Sequence, residues 1–497
     1  MIKTCAPNKL FDLPVLVFAV SFVLTCRLSA QTFTTLLRFA GGSDGGGPNG
    51  GLVLSGTTIF GTTQGGGSFG HGTVFALNFD GTGFTNLYDF TGALDGATPG
   101  AGLILSGNTL YGITTGGGSS GNGTVFSVHT DGGGFTNLHS FSALTNSTNS
   151  DGANPRAGLI LLTNTLFGTA EFGGDFGAGT VFGVHTDGTG FRTLHSFGAL
   201  SDSSYTNSDG AYPFVGLGSS GNVLYGTAYQ GGSSGNGTVF AVHTDGTGFT
   251  NLHTFTAGIG SWPTIVNSDG ALPSVELVVS DNTLFGATFT GGSGGAGTVF
   301  AMGIDGVGFT NLYQFTASSY SGLVANFTNR DGASPVNYLR LAGDTLYGCA
   351  NNGGVLGGGT VFAVKTNGAA FINLHSLNGV NEGASPSGGL ALLGNTLFGA
   401  ASIGGSGSLE GGFKGSGSVF SVTFLPQLTI TPSGANIVLT WPTIVAGLDY
   451  SGFTLQTAPD LTSPDWATNL PAQVIVNGQK TVTLPASGTP QFFRLGQ

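Results

Sequence analysis

The residue types that could do chemistry in this chain are few, and most recur on a fixed period. Histidine can serve as a general base or metal ligand near neutral pH. Here His139, His195, His253 and His375 share one repeat position and His129, His185 and His243 another. Tyr88 and Tyr313 stand in for the first set elsewhere, so the position accepts a phenol in place of an imidazole and reads as a building element. Asp95, Asp151, Asp209, Asp269 and Asp331 open Asp-Gly-Ala-x-Pro strings, with Asp44 and Glu382 as looser matches. A calcium loop would need further carboxylates close by; they are absent, and a turn bonding its own backbone is expected. Cys349 sits where other units have Thr, Ile or Ala, the place of a small strand residue and not of a nucleophile. Glycine runs such as Gly65–Gly67 and Gly116–Gly118 never continue as Gly-Lys-Ser/Thr, so they read as loops and not phosphate cradles. No catalytic residue, metal ligand or cofactor motif is assigned.

Function in a repetitive chain is expected where the repeats differ. Three residues after a recurrent strand glycine stand Gln64, Thr115, Glu171, Tyr229, Phe289, Asn351 and Ser402, no two alike. Arg156 and Phe214, each just past a proline, are expected on the same face. A second variable place precedes the first strand of each unit, where the loop runs 5, 5, 10, 12, 14, 16 and 5 residues. The lengthened loops are consecutive and carry Tyr205, Trp262, Tyr320, Phe327 and Arg330. Aromatics beside amides and a few charges suit a sugar or peptide surface. The candidate ligand contacts are therefore Trp262, Glu171, Tyr229, Phe289, Asn351, Arg156 and Phe214. Glu171 with Asp175 is the carboxylate pair that an enzyme acting on this face would need.

These residues must be positioned by a repeated scaffold. Gly-Thr-Val-Phe begins at Gly72, Gly123, Gly179, Gly237, Gly297 and Gly359 and recurs as Gly-Ser-Val-Phe at Gly417. About fifteen residues earlier lies a second string, of the form Thr109-Leu-Tyr-Gly112, also seven times. Each unit holds four strand-like runs, here named a to d, joined in part by Ser-Gly-Asn and Asp-Gly turns that favour antiparallel hairpins. Strand d follows units one to six and is missing after the seventh. Thr32-Phe-Thr-Thr-Leu-Leu-Arg-Phe39 matches Gly83-Phe-Thr-Asn-Leu-Tyr-Asp-Phe90 and would supply it. The expectation is an all-β chain with a seven-bladed β-propeller over 31–425, closed by the N-terminal strand.

The combination of Leu-Tyr-Gly, a Gly-Gly run, Gly-Thr-Val-Phe and Asp-Gly-x-Gly-Phe resembles the GloVer-type tandem repeats of secreted bacterial proteins, over about residues 31–424. That resemblance implies export and repeat architecture and no reaction. Residues 427–497 differ in composition, with period-two runs such as Asn436-Ile-Val-Leu-Thr-Trp441. They are expected to form a small β-sandwich, similar to a fibronectin type III domain, with Trp441 and Trp466 in its core.

Composition bounds the partners. Lys3, Lys9 and Pro14 to Thr25 read as a secretory signal, ending at Leu28-Ser-Ala30 with cleavage before Gln31. Without residues 1–30 there remain 9 basic and 23 acidic residues, a net charge of −14. Such a surface excludes nucleic acid and anionic membranes as partners. Cys349 alone remains, so no internal disulfide forms, and no later run spans a bilayer. The expected protein is a secreted or cell-surface monomer, a binding or adhesion module for a glycan or protein. The alternative is an extracellular polysaccharide hydrolase or lyase.

Overall fold

The computed structural model describes residues 31–496 apart from 202–203, 261–264, 322–325, 406–414, 460–465, 469 and 487–490. The described residues form strands and turns and no helix, as expected of an all-β chain. Seven sheets share one plan. In the second, Ile104–Ser106, Thr109–Thr114, Thr124–His129 and Thr136–Ser140 pair antiparallel in chain order. Thr, Val and Phe favour extended backbone, and in units one to five an Asp-Gly turn such as that of Asp131 ends strand c by accepting the N–H two residues on, at 2.9–3.0 Å. Val125, Phe126 and Val128 of strand c are all buried. Both faces of the sheet are therefore covered by neighbours.

The N-terminal strand Gln31–Arg38 belongs to the last of these sheets. It pairs antiparallel with Ser418–Phe424, from Gln31 against Phe424 to Arg38 against Ser418. Thr396–Ala401 and Ala391–Leu393 complete that sheet. Without the first strand, the c strand would present an open ladder of unpaired backbone groups.

Two contacts recur between successive sheets. The glycine opening each Gly-Thr-Val-Phe string has φ between 90° and 101°, a region L-residues avoid. A Cβ on Gly72, Gly123, Gly179, Gly237, Gly297, Gly359 or Gly417 would stand 2.5–2.8 Å from a proline Cδ of the next unit. At Gly417 that proline is Pro48, so the last sheet meets the first through the same contact as all others. The second contact is aromatic. Tyr88, His139, His195, His253 and Tyr313 lie flat on Phe135, Phe191, Phe249, Phe309 and Phe371 at 3.6–4.1 Å between centroids. His375 lies on Phe33 of the N-terminal strand at 4.0 Å.

The recurrent aspartates hold these rings. Asp151 accepts from His139 Nε2 at 3.1 Å and from the Ser142 N–H at 2.9 Å, and its backbone carbonyl accepts from Thr180 Oγ1 at 3.2 Å. Asp95, Asp269 and Glu382 repeat the pattern. The carboxylates are thus occupied by their own turns, and the histidines are inter-sheet packing. Burial alone would raise the Asp151 pKa, but the hydrogen bonds from His139 and Ser142 hold it below the ordinary carboxylate range.

The C-terminal residues build a separate four-stranded sheet from Thr429–Ser433, Asn436–Pro442, Gln479–Pro485 and Val474–Val476. Thr454–Ala458 pairs with Phe492–Gly496. Trp441 is buried, whereas Trp466 is half-buried with the Arg494 guanidinium 4.3 Å from its ring centre. The unit is docked, not tethered. Its Leu439, Trp441 and Leu455 share one apolar cluster with Tyr347, Leu397 and Phe424, and Tyr347 Oη donates to the Ala446 carbonyl at 3.0 Å.

Two measurements check this account. Deleting residues 31–39 should expose the Ser418–Phe424 edge, giving aggregation in light scattering and a lowered melting temperature. Asp151→Asn should cost about 1–3 kcal/mol at pH 7 in denaturant unfolding. Because the folded pKa is depressed, that contribution is full above the unfolded aspartate pKa of about 3.9 and disappears as pH falls below it.

Candidate functional site

The a strands form the innermost edge of each sheet. A side chain on Gly50 would strike the Ala101 carbonyl, one on Gly218 the Leu277 carbonyl, and one on Gly388 the Gly50 carbonyl. Thr62 Oγ1 donates to Ala101 O at 3.1 Å across one such junction. The position before the a-strand leucine faces the axis between these edges. It is glycine at Gly51, Gly102, Gly158, Gly216 and Gly389, but Glu276 in unit five and Tyr338 in unit six. Tyr338 spans the axis: its ring or hydroxyl occupies the space that side chains on Gly51, Gly102, Gly158 and Gly389 would take.

On one side of Tyr338 is the mouth, where the variable residues gather. The variable residue lies within one position of the end of strand b, and in units three and four it meets the residue that follows the proline of the same unit. In unit three Arg156 Nε lies 2.7 Å from Glu171 Oε2. In unit four Phe214 meets Tyr229 edge-on at 4.8 Å. Asn337 reaches across with φ +65°, donating from its backbone to Ser274 O at 3.0 Å and from its side chain to Asn49 O at 3.3 Å and to Ser387 O. The crevice left among Asn49, Arg156, Phe214, Asn337 and Tyr338 is about 10 Å³, no larger than one water needs. A ligand therefore meets the rim and does not enter here.

Burial raises the Glu171 pKa above its ordinary value, and the Arg156 charge draws it back only in part. Its partner is thus a guanidinium, while Asp175 is exposed. Phe289 and Asn351 are half-buried at the ends of Thr283–Thr290 and Thr345–Asn352. Among the described residues they make no ring contact or side-chain hydrogen bond with the other candidates. Trp262 lies outside the described residues.

The lengthened loops stand on a common base. In units three to six an asparagine two residues before the aspartate clamps loop to loop. Asn149 Oδ1 accepts from Gly152 N at 2.9 Å and from Gly174 N at 3.0 Å; Asn207, Asn267 and Asn329 do the same. Above the base of unit four is a cleft of about 440 Å³ lined by Tyr205, Tyr229, Gln230, Asn236, Ile265 and Leu272. Tyr205 is 58 % exposed and has φ +54°, an unfavourable backbone for an aromatic residue. A knot of hydroxyls beneath fixes it: Ser201 Oγ lies 2.7 Å from Ser204 Oγ and 3.0 Å from Thr206 Oγ1.

The sequence reading placed Tyr229 and Tyr205 on the variable side but missed the clamp, Glu276, Asn337 and Tyr338. The signal for the axial pair was present. Aligning the units on the a-strand leucine shows glycine broken twice, by Glu276 and Tyr338. Among the described residues no three His, Cys, Asp or Glu side chains gather as a metal site. Cys349 is buried, which pushes its thiol up to about 12.

The Gloeobacter/Verrucomicrobia repeat family model matches residues 20–208 and 265–431. Among solved structures, a nidogen/laminin complex is similar at 15% identity and TM-score 0.35, covering 61% of this chain and 90% of that one. A puromycin-hydrolyzing peptidase of Mycobacterium tuberculosis is similar at 10% identity and TM-score 0.42, covering 84% and 62%. An oligogalacturonate lyase in complex with manganese is similar at 9% identity and TM-score 0.42, covering 80% and 98%. No curated protein matches the chain.

Removing the guanidinium would leave Glu171 buried and unpaired. Arg156→Ala should therefore cost about 1–2 kcal/mol at pH 7, the lower end of such losses because Arg156 is half exposed. The cost should shrink as pH is lowered, because burial raises the Glu171 pKa and a protonated carboxyl needs no counter-charge, and it should vanish in Arg156→Ala/Glu171→Gln. Denaturant unfolding at pH 7 and below reads all three.

Proposed function

We propose a function on one premise: the chain belongs to the Gloeobacter/Verrucomicrobia repeat family, whose model spans most of it. The repeats are read as the blades of a seven-bladed propeller closed by the N-terminal strand. The seven sheets, the pairing of Gln31–Arg38 with Ser418–Phe424 and the Gly417–Pro48 contact support that reading. The propeller is a binding module for a glycan, exported through the apolar N-terminal segment. The docked C-terminal unit, read as a fibronectin type III-like sandwich, serves as its attachment domain.

The cleft between the Tyr205 loop and Tyr229 carries this reading. It has the volume of a small-molecule site. An exposed tyrosine held in a strained backbone is a rigid platform for a sugar face, and Gln230 stands beside it to meet hydroxyls. A polysaccharide hydrolase or lyase on this face is disfavoured, because Glu171 is ion-paired to Arg156 and is not half of a carboxylate pair.

The test is binding on a glycan array by the mature chain and two variants. Tyr205→Ala and Tyr229→Ala should each weaken the best ligand by about thirtyfold, the effect of about 2 kcal/mol at an aromatic anchor. Tyr205→Ala should leave the melting temperature nearly unchanged, since the side chain is exposed. Release of free sugar by the wild-type protein would overturn the binding reading. Unaltered affinity in both variants would move the site elsewhere.

A further inference from the structure

Beyond Tyr338, on the side away from the variable rim, the axis widens into a well of about 240 Å³. Its wall is made of the glycine backbones of Gly51, Gly102, Gly158 and Gly389, the a-strand leucines, the Tyr338 ring and one carboxyl, Glu276. The short strand Val275–Glu276 pairs in parallel with the strand carrying Tyr338, placing Glu276 directly beside it. Glu276 also fills the space that a side chain on Gly216 would take.

The scaffold does not demand this carboxyl. Five of seven units place glycine there and make the same junctions. No hydrogen bond or ion pair to Glu276 exists among the described residues, and burial pushes its pKa up to about 8. Arg340, the one cation lining the well, is exposed and does not pair with it. Glu276 is half-buried against the apolar wall, and a carboxyl that loses part of its water without gaining a partner costs free energy when charged. The well of about 240 Å³ beside the Tyr338 ring leaves room for that partner.

We propose that this axial well binds a small organic cation, an alkylammonium, with its charged head on Glu276 and its carbons against the Tyr338 ring and the leucines. The chemistry of the wall selects that class. A calcium ion takes six to eight oxygen ligands and magnesium a near-octahedral set, whereas the well offers one carboxylate. An aromatic face and methyl groups next to a single negative charge suit an ammonium carrying hydrocarbon. On binding, the Glu276 carboxyl gives its proton to solvent and the carboxylate pairs with the ammonium. Tyr338, whose phenol burial raises still further and which keeps its proton in this range, and the exposed Arg340 are the other ionisable groups lining the well.

Titration calorimetry of the full chain with n-butylammonium chloride tests the proposal. Affinity should rise about tenfold per pH unit from pH 6 to about 8 and level off above. At pH 7 about one proton should be released per cation, read from buffers of different ionisation heat. Glu276→Gln should abolish binding at every pH and melt like the wild type at pH 6, where glutamine mimics the protonated acid. Tyr338→Leu should weaken binding and keep the pH profile. Absence of heat at pH 9, affinity independent of pH, binding retained in Glu276→Gln, or heat with calcium chloride alone would each overturn the proposal. Should Glu276→Gln not fold, the wild-type pH profile decides.

Discussion

At every junction between sheets, a proline ring of one unit lies where the Cβ of the preceding unit's Gly-Thr-Val-Phe glycine would be. Much else follows from that contact. The glycine must be glycine twice over, for its φ and for the space it yields. The residue before the proline is turned left-handed, at Thr98, Asn154, Tyr212, Leu272, Ser334 and Ser385 with φ of 53–58°. That turn delivers the residue after the proline to the axis beside the end of strand b. Variation at the mouth is therefore confined to side chains whose backbone the junction has already placed. It appears as matched pairs, charge on charge in unit three and ring on ring in unit four.

Charge is scarce in this protein, and most of the repeated acids are spent internally. Asp95, Asp151, Asp269 and Glu382 each tie a backbone N–H and an aromatic or imidazole ring into one corner, which holds their pKa low. Glu171 and Glu276 run the other way. Both are raised, by burial, and both stand outside the repeat pattern. The contrast separates acids that build the scaffold from acids the scaffold merely tolerates.

The strands and turns were legible in the sequence because β-branched and aromatic runs bounded by Asp-Gly leave little alternative. The origin of the N-terminal strand's partner was legible too, since Phe33 sits in the same string as Phe84. The axial residues were not read, because attention fell on the variable ends of strand b and not on the start of strand a. The asparagine clamp was hidden inside loops whose lengths differ, where no common alignment suggests a shared base. Trp466 shows the limit of composition. A tryptophan in a small sheet is expected inside, yet here its face is covered by Arg494 and it stays half-buried. The docking of the C-terminal unit was equally invisible, as period-two patterns mark an apolar face without naming what covers it.

The pairing of Gln31–Arg38 with Ser418–Phe424 also sets an order of events in time. Gln31–Arg38 is the partner of a strand almost four hundred residues later in the chain. Its contacts span 343 and 346 residues even to the neighbouring unit. Closing so long a loop costs entropy only logarithmically, but such non-local pairing slows folding. The intermediate sheets can assemble neighbour on neighbour, while both ends of the array wait. The chain thus carries a fastener that engages once the whole array is complete, so a truncated product is left with an open edge that marks it as unfinished.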